Sequence, residues 1–147
     1  DGVWGEDAWC YVEDKAKLIE EAARVLRPGG TIAFTDWMIG PSGMSAEDAA
    51  RVCETMKFPD MLTMDEYRTL LEKNGFEIRD ATDLTHTMAE HIENYLGQLA
   101  GQRHFDAMQI LGWNYDVFNF LGVEFGFMLE KAKAGEFGRG RFVAVKK

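Results

Sequence analysis

The sequence predicts an α/β fold in which a parallel strand–helix–strand crossover precedes an antiparallel strand at the carboxyl end. Residues 1–38 have the pattern of a strand, a short loop, an amphipathic helix, a Pro-Gly-Gly turn and a second strand. The residues of 141–145, Arg-Phe-Val-Ala-Val, have the composition of a strand that finishes the chain. Helices that join parallel strands must cover a face of the sheet, so a mixed α/β architecture follows.

The first strand and helix are predicted by local signals. Residues 2–4 form a short apolar strand end, and Glu13 and Asp14 open a helix, since negative charge suits the positive end of the helix dipole. Apolar residues then recur on one helical face: Leu18, Ala22, Val25 and Leu26. Pro28 predicts that the helix ends at Arg27, with residues 29–30 supplying a left-handed turn.

The middle of the chain alternates strands and helices. β-branched and aromatic residues predict strands at 31–37 and 76–84. Helices are predicted at 46–57 and 64–73. Their starts have the spacing of helix caps: Ser45 with Asp48, and Thr63 with Glu66, the second pair being a capping box.

Residues 85–136 predict a helical insertion before the last strand. Thr87 and Glu90 have capping-box spacing, and apolar residues recur every three or four positions from 105 to 134. The glycines of this stretch either break it into two helices or allow close packing: Gly112, Gly122 and Gly126. The aromatic residues of this stretch either fill the core or form a lid over a bound ligand. The glycine-rich residues 135–140 predict a turn.

Composition and charge narrow the range of partners. The formal net charge of -9 disfavours nucleic acid, and no apolar run reaches the length of a membrane span. Cys10 and Cys53 do not form a disulfide or metal framework, and the three histidines lack metal-ligand spacing, so no metal site is predicted. The absence of a signal-peptide pattern leads us to expect a cytoplasmic protein.

Several segments together resemble a known family. Residues 26–30, Leu-Arg-Pro-Gly-Gly, lie between the amphipathic helix and a strand that ends in Thr-Asp at 35–36. With residues 7–9 and 14–15, this pattern resembles the second half of Rossmann-like S-adenosylmethionine-dependent methyltransferases. Further segments resemble the small-amine branch, the sarcosine/dimethylglycine N-methyltransferases and the related phosphoethanolamine enzymes: 59–61, 67–68, 75–76 and 134–140.

The resemblance implies a partial Rossmann-like sheet. Residues 1–147 would be a single domain holding the fourth to seventh strands, with flanking helices and the insertion at 85–136. The chain contains no G-x-G-x-G motif. We therefore expect it to lack the glycine-rich loop that cradles S-adenosylmethionine in the family.

The resemblance also implies site residues after the first strand. Trp4, Gly5 and Glu6 would contact the cofactor. Asp7 would act as a catalytic carboxylate towards a substrate ammonium, or would only cap the turn. Tyr11 stands where related enzymes carry a His; a phenol titrates near 10 and is a poor base at neutral pH.

Three further residues are candidates to bind substrate: Trp9, Asp36 and Trp37. Trp9 would contact a methylated ammonium through a cation–π interaction, or would fill the core. Asp36 and Trp37, at the end of the next strand, would line the substrate pocket. Alternatively, Asp36 would cap a helix or loop and Trp37 would pack in the core. The arginines at 68, 139 and 141 are candidates to hold a substrate carboxylate or phosphate.

The predicted function is S-adenosylmethionine-dependent N-methylation of a small amine by in-line attack on the sulfonium methyl group. The alternative is a non-catalytic methyltransferase-like module that dimerises or binds a small amphipathic ligand. The first strand would have an unpaired edge, which favours a homodimer or completion of the sheet by another chain.

Overall fold

A computed structural model describes all residues from 1 to 147. The strands are β1 (Gly2–Glu6), β2 (Thr31–Ile39), β3 (Phe76–Asp83) and β4 (Phe137–Lys146). The helices are α1 (Lys15–Val25), α2 (Ala46–Met56), α3 (Met64–Lys73), α4 (Thr85–Ala100), α5 (His104–Ile110) and α6 (Tyr115–Lys133). A short 3-10 turn, Trp9–Tyr11, follows β1.

The four strands form one sheet in the order β1-β2-β4-β3. β1 pairs parallel with β2, and β4 inserts antiparallel between β2 and β3. The predicted α/β class, with its parallel crossover and late antiparallel return, is confirmed. The carboxyl ends of β1 and β2 therefore lie side by side at one edge of the sheet.

Strand alternation divides the core into two layers. One face of the sheet packs on α1 and α3 through residues such as Phe34, Ile19 and Tyr67. The other face packs on helices α2, α4 and α6, with Phe137, Val52 and others in contact. Because successive strand residues point to opposite faces, neighbouring residues on β2 belong to different layers.

Two of the predicted helix starts are confirmed and one is wrong. Ser45 accepts a hydrogen bond from the Asp48 amide, and Thr63 forms the full capping box with Glu66. The Thr87 hydroxyl instead donates to the Leu84 carbonyl, and α4 begins at Thr85 without a side-chain cap. Asp83 explains the earlier start, because its carboxylate accepts the Thr85 amide.

Other element ends also differ from the sequence expectation. α1 ends at Val25 instead of Arg27, because Leu26 is already extended before the Pro-Gly-Gly turn, in which Gly29 has φ 83°. The chain breaks at Gly112, also left-handed, whereas α6 continues through Gly122 and Gly126. A Cβ at either of these two glycines would meet no atom within 4 Å, so neither allows close packing.

The glycine-rich stretch before the end is mostly strand. Gly135 forms the turn with φ 73°, but β4 already begins at Phe137 and carries Gly138 and Gly140 in its ladder. A Cβ at Gly138 would overlap the Thr85 side chain, and one at Gly140 would press on the Met38 sulfur. These glycines let α4 and neighbouring side chains approach the sheet closely.

No helix is both long enough and apolar enough to cross a bilayer.

Candidate functional site

Asp7 marks the carboxyl end of β1 with an unusual backbone conformation. Its φ is 48°, in the left-handed region that few non-glycine residues adopt, although Asp is among those that do. Its amide donates to the Thr35 carbonyl at 2.9 Å, which fixes the turn against β2. Such strained positions persist only when their surroundings hold them, and they are concentrated at functional sites.

Arg139 of β4 holds the Asp7 side chain. Its Nε donates to Asp7 Oδ1 at 2.8 Å, and Nη2 donates to Thr35 Oγ1 at 3.1 Å. Glu6 lies 3.5 Å from the same guanidinium. Two carboxylates thus share one cation, so this ion-pair group has a formal charge of -1.

A polar pocket of about 180 Å³ lies above this ion-pair group. Trp37 of β2 lines it, together with His91 and Tyr95 of α4. Trp37 is directly opposite Arg139 in the β2–β4 ladder, which explains how two distant segments meet here. Met88 and Ile92 supply the apolar floor.

Asp36 lies on the other face of β2, away from this pocket. It is fully buried, accepts the Cys10 amide at 2.7 Å, and accepts a hydrogen bond from the Tyr67 hydroxyl of α3. Burial raises the pKa of the Asp36 carboxyl, and the hydrogen bond from Tyr67 opposes that rise. Asp36 therefore fixes the 3-10 turn after β1 to the sheet.

The Cys10 thiol belongs to the same buried group. Burial, and next the nearby Asp36 charge, raise its pKa to about 12. Its sulfur lies 3.4 Å from the Asp7 carbonyl oxygen, a further contact between the 3-10 turn and the end of β1. A thiol in this state is a poor nucleophile.

Trp9 and Gly5 form a packing pair. The Trp9 indole stacks on Phe34 with ring centroids 3.8 Å apart, and only 6% of Trp9 is exposed. A Cβ at Gly5 would lie 2.5 Å from the indole nitrogen, so glycine is needed there to admit Trp9. Trp9 is thus a core residue in this structure and does not line the polar pocket.

Trp4 and Tyr11 also lie outside the pocket. Trp4 is 75% exposed on β1, at the edge of the sheet. Tyr11 is half-exposed and contacts Phe58 edge to face at 5.1 Å. Burial raises the pKa of the Tyr11 phenol, so even less of it is ionised and able to act as a base near neutral pH.

The structure thus brings together only part of the predicted set. Glu6, Asp7 and Trp37 share one pocket, and Arg139 joins them from the list of candidate arginines. Sequence reasoning missed His91 and Tyr95. Their spacing of four residues, on the helix side next to Met88 and Ile92, was the available signal.

The class of protein follows from fold and sequence together. Residues 1–34 match the family described as "Methyltransferase domain". The chain corresponds in sequence and fold to the C-terminal part of a Rossmann-like S-adenosylmethionine-dependent methyltransferase domain, and S-adenosylmethionine is the cofactor of that domain class.

Particular relatives narrow the comparison. The chain is 30% identical over 112 residues to the sarcosine/dimethylglycine N-methyltransferase of Aphanothece halophytica, covering 74% of this chain and 38% of the relative. It is 38% identical over 87 residues to 27-O-demethylrifamycin SV methyltransferase of Amycolatopsis mediterranei, covering 58% of this chain and 32% of the relative. The chain thus spans about a third of the length of these relatives.

Solved structures agree on the fold. A Galdieria sulphuraria protein assigned as a sarcosine dimethylglycine methyltransferase superposes with a TM-score of 0.85 at 23% identity, covering 99% of this chain and 52% of that one. A Haemonchus contortus phosphoethanolamine N-methyltransferase bound to phosphomonomethylethanolamine and S-adenosylhomocysteine gives 0.80 at 18% identity, covering 99% and 33%.

The end of β1 fits one part of the cofactor. The Glu6 and Asp7 carboxylates suit the positive charge of a sulfonium, and the exposed Trp4 ring is available to an aromatic base. Of the three predicted cofactor contacts, Trp4 and Glu6 would thus contact S-adenosylmethionine, whereas Gly5 admits the Trp9 indole. When bound, the cofactor supplies an activated methyl group.

Proposed function

We propose that the chain forms the acceptor side of an S-adenosylmethionine-dependent N-methyltransferase that acts on a small amine. The acceptor would be of the sarcosine/dimethylglycine or phosphoethanolamine type. The observation that carries the proposal is the polar pocket in which Glu6 and Asp7 meet Arg139 beside two aromatic side chains. The sarcosine/dimethylglycine N-methyltransferase among the relatives supports the choice of an amine.

The carboxylates would attract and orient the amine. Asp7 is 29% exposed at its side chain, so one oxygen can accept a hydrogen bond from a substrate ammonium while the other accepts Arg139. The excess negative charge favours a cation over an anion at this point. Holding the nitrogen in line with an activated methyl group supplies most of the rate enhancement.

The aromatic residues would surround the methylated nitrogen. Trp37 and Tyr95 both line the pocket, and an aromatic ring attracts a cation placed over its face by about 0.5–2 kcal/mol. Arg139 has a second role, because its guanidinium can bind a substrate carboxylate or phosphate.

His91 would accept the proton that the amine must lose before it attacks. An imidazole can take up a proton near neutral pH, whereas the Tyr11 phenol, outside this pocket, cannot. His91 of α4 would thus take the role of the histidine that related enzymes carry after β1, where this chain has Tyr11. The free nitrogen lone pair then attacks, and the displaced thioether leaves as a neutral group.

Methyl transfer by the purified chain tests the proposal. Mass spectrometry would follow methylated products from sarcosine, dimethylglycine and phosphoethanolamine with S-adenosylmethionine. We expect Asp7→Asn to weaken amine binding and His91→Gln to lower turnover. His86→Gln, on the same helix and outside this pocket, is the matched control. Absence of both amine binding and cofactor binding at millimolar concentrations would refute the proposal.

A non-catalytic dimerising module is the second candidate. The outer edge of β1 pairs with no other strand in this structure, and Trp4 is exposed beside it. Exposed strand edges favour pairing with another chain. Sedimentation would show a concentration-dependent dimer that Val3→Pro disrupts; a monomer at high micromolar concentration contradicts this candidate.

A further inference from the structure

An apolar cavity of about 330 Å³ lies between helices α4, α5 and α6. Leu96 and Leu99 of α4 face Phe118, Leu121 and Gly122 of α6 across it. Apart from Gly122, every lining residue is hydrophobic. The volume lies within the range of sites that hold small molecules, about 300–1,000 Å³.

The cavity and the polar pocket are both lined by residues of helix α4. Met88 and Ile92 border the polar pocket, and Leu96 and Leu99 border the cavity. These four residues recur every three or four positions, so they form one apolar stripe on the helix. On α4 the polar pocket extends to Tyr95 and the cavity begins at Leu96. The midpoints of the two sets of lining residues are about seven residues apart, which is roughly 10 Å along the helix axis.

The mouth of the cavity is open to water. Ile110 of α5 lines the cavity and is 84% exposed, and Phe105 at the start of the same helix is more than half-exposed. Exposed apolar surface of this kind marks a binding region. An apolar chain that enters the cavity would remove this surface from water.

We infer that the cavity binds the apolar chain of an amphipathic amine whose amino head lies at Asp7. The charges at the head end decide the chemistry, because Glu6 and Asp7 outnumber Arg139 and favour a cation. The inference extends the acceptor class from small polar amines to amines with an aliphatic or aromatic chain. The position of the head at Asp7 and its reactivity rest on the proposed function, whereas binding of the chain in the cavity does not.

A chain-length series tests the inference by calorimetry. The probes are tetramethylammonium and the butyl-, hexyl- and octyltrimethylammonium ions, used below their micelle concentrations, with octyl sulfate as the anionic comparison. Affinity is expected to rise with each buried methylene by up to about fourfold. Octyl sulfate is expected to bind more weakly than octyltrimethylammonium.

A matched pair of variants localises the effect. Gly122→Leu places a side chain in the cavity, and a Cβ there meets no atom within 4 Å. Leu also favours a helix over Gly, so the variant should fold. It is expected to abolish the chain-length dependence. Gly126→Leu, one turn further along α6 and outside the cavity, should retain it.

Four results would overturn the inference. The first is an affinity that does not depend on chain length, and the second is an equal effect of Gly122→Leu and Gly126→Leu on that dependence. The third is binding of octyl sulfate as tight as that of octyltrimethylammonium. The fourth is a dimer that Gly122→Leu dissociates, since a second copy would then cover the cavity. Trimethylammonium ions have no lone pair and cannot be methylated. Chain binding without turnover therefore rejects only the proposed function, and turnover of dimethylglycine without chain-length dependence rejects only this inference.

Discussion

Replacing Tyr67 by Phe would remove one hydroxyl from the buried side of the sheet and keep the aromatic ring. The hydroxyl donates to Asp36, and both residues are fully buried. The ring contacts with Phe34 and Phe142, at centroid distances of 5.2 and 5.1 Å, would remain. The substitution therefore isolates the hydrogen bond from the packing.

The expected loss follows from the charge of the acceptor. A hydrogen bond to a charged group contributes about 1.5–3 kcal/mol, and the Asp36 carboxylate would keep only the Cys10 amide as a hydrogen-bond partner. We expect Tyr67→Phe to lower the free energy of unfolding by about 2 kcal/mol at neutral pH. The 3-10 turn that positions the end of β1 should become more mobile.

The pH dependence of the free energy of unfolding provides a second, independent test of the Tyr67–Asp36 hydrogen bond. Burial raises the pKa of Asp36 and the Tyr67 hydrogen bond opposes that rise, so Tyr67→Phe should raise it further. When the pKa of a carboxyl is higher in the folded state, its contribution to stability is fully present below the unfolded-state pKa. That contribution is lost as pH increases through the folded-state pKa. The difference between variant and wild type should therefore shrink from neutral pH towards about pH 4, where free Asp protonates.

Urea unfolding followed by circular dichroism measures both effects. Tyr115→Phe is the control, because Tyr115 is 58% exposed and has no buried partner to lose. Its effect should stay within about 0.5 kcal/mol. If Tyr67→Phe unfolds with the same midpoint and slope as Tyr115→Phe, or if its deficit grows on acidification, the reasoning is wrong.

Three further predictions follow from other contacts. Gly138→Ala should lower the free energy of unfolding by about 1–3 kcal/mol, because the new methyl overlaps Thr85, and Thr85→Ala should restore part of the loss in thermal unfolding. The pKa of the Cys10 thiol is raised to about 12, so Cys10 should react slowly with iodoacetamide at about pH 8.5 in the folded chain. Peptide mass spectrometry would measure this rate, and modification as fast as in the urea-unfolded chain would contradict the prediction. The hydrogen bond from Arg51 lowers the pKa of Glu124. The stability contributed by this ion pair is therefore present above the ordinary Glu pKa near 4.3 and is lost as pH falls through the folded-state pKa. Arg51→Gln should make the free energy of unfolding less sensitive to acid, and an unchanged acid profile would count against this.

Local signals predicted most of the fold. The crossover in residues 1–38 follows from an apolar helix face and a Pro-Gly-Gly turn, and the Thr63–Glu66 capping box acts within one helical turn. Some failures had local causes, such as the Asp83 carboxylate that starts α4 at Thr85, and another involved tertiary packing. Gly122 costs helix stability locally, yet α6 continues through it because the flanking turns pack on α4 and the sheet.

The candidate site was only partly predictable. Alternation along β2 already requires Asp36 and Trp37 to point to opposite faces, so one pocket could not include both. The identities of His91 and Arg139 could not be inferred from strand ends. They lie 84 and 132 positions from Asp7 along the chain, and only the sheet order and the packing of α4 bring them to it.

The sequence by itself determined the α/β class of the fold and the edge of the sheet where polar residues follow β1 and β2. Both depend on short-range features: helix periodicity, turn residues and the position of polar side chains after strands. The tertiary structure decided which side chains meet at that edge. β4 inserts antiparallel beside β2 and places Arg139 against Asp7, and α4 lies over the same sheet edge with His91. Such pairings depend on long-range register and helix docking, which no local pattern records.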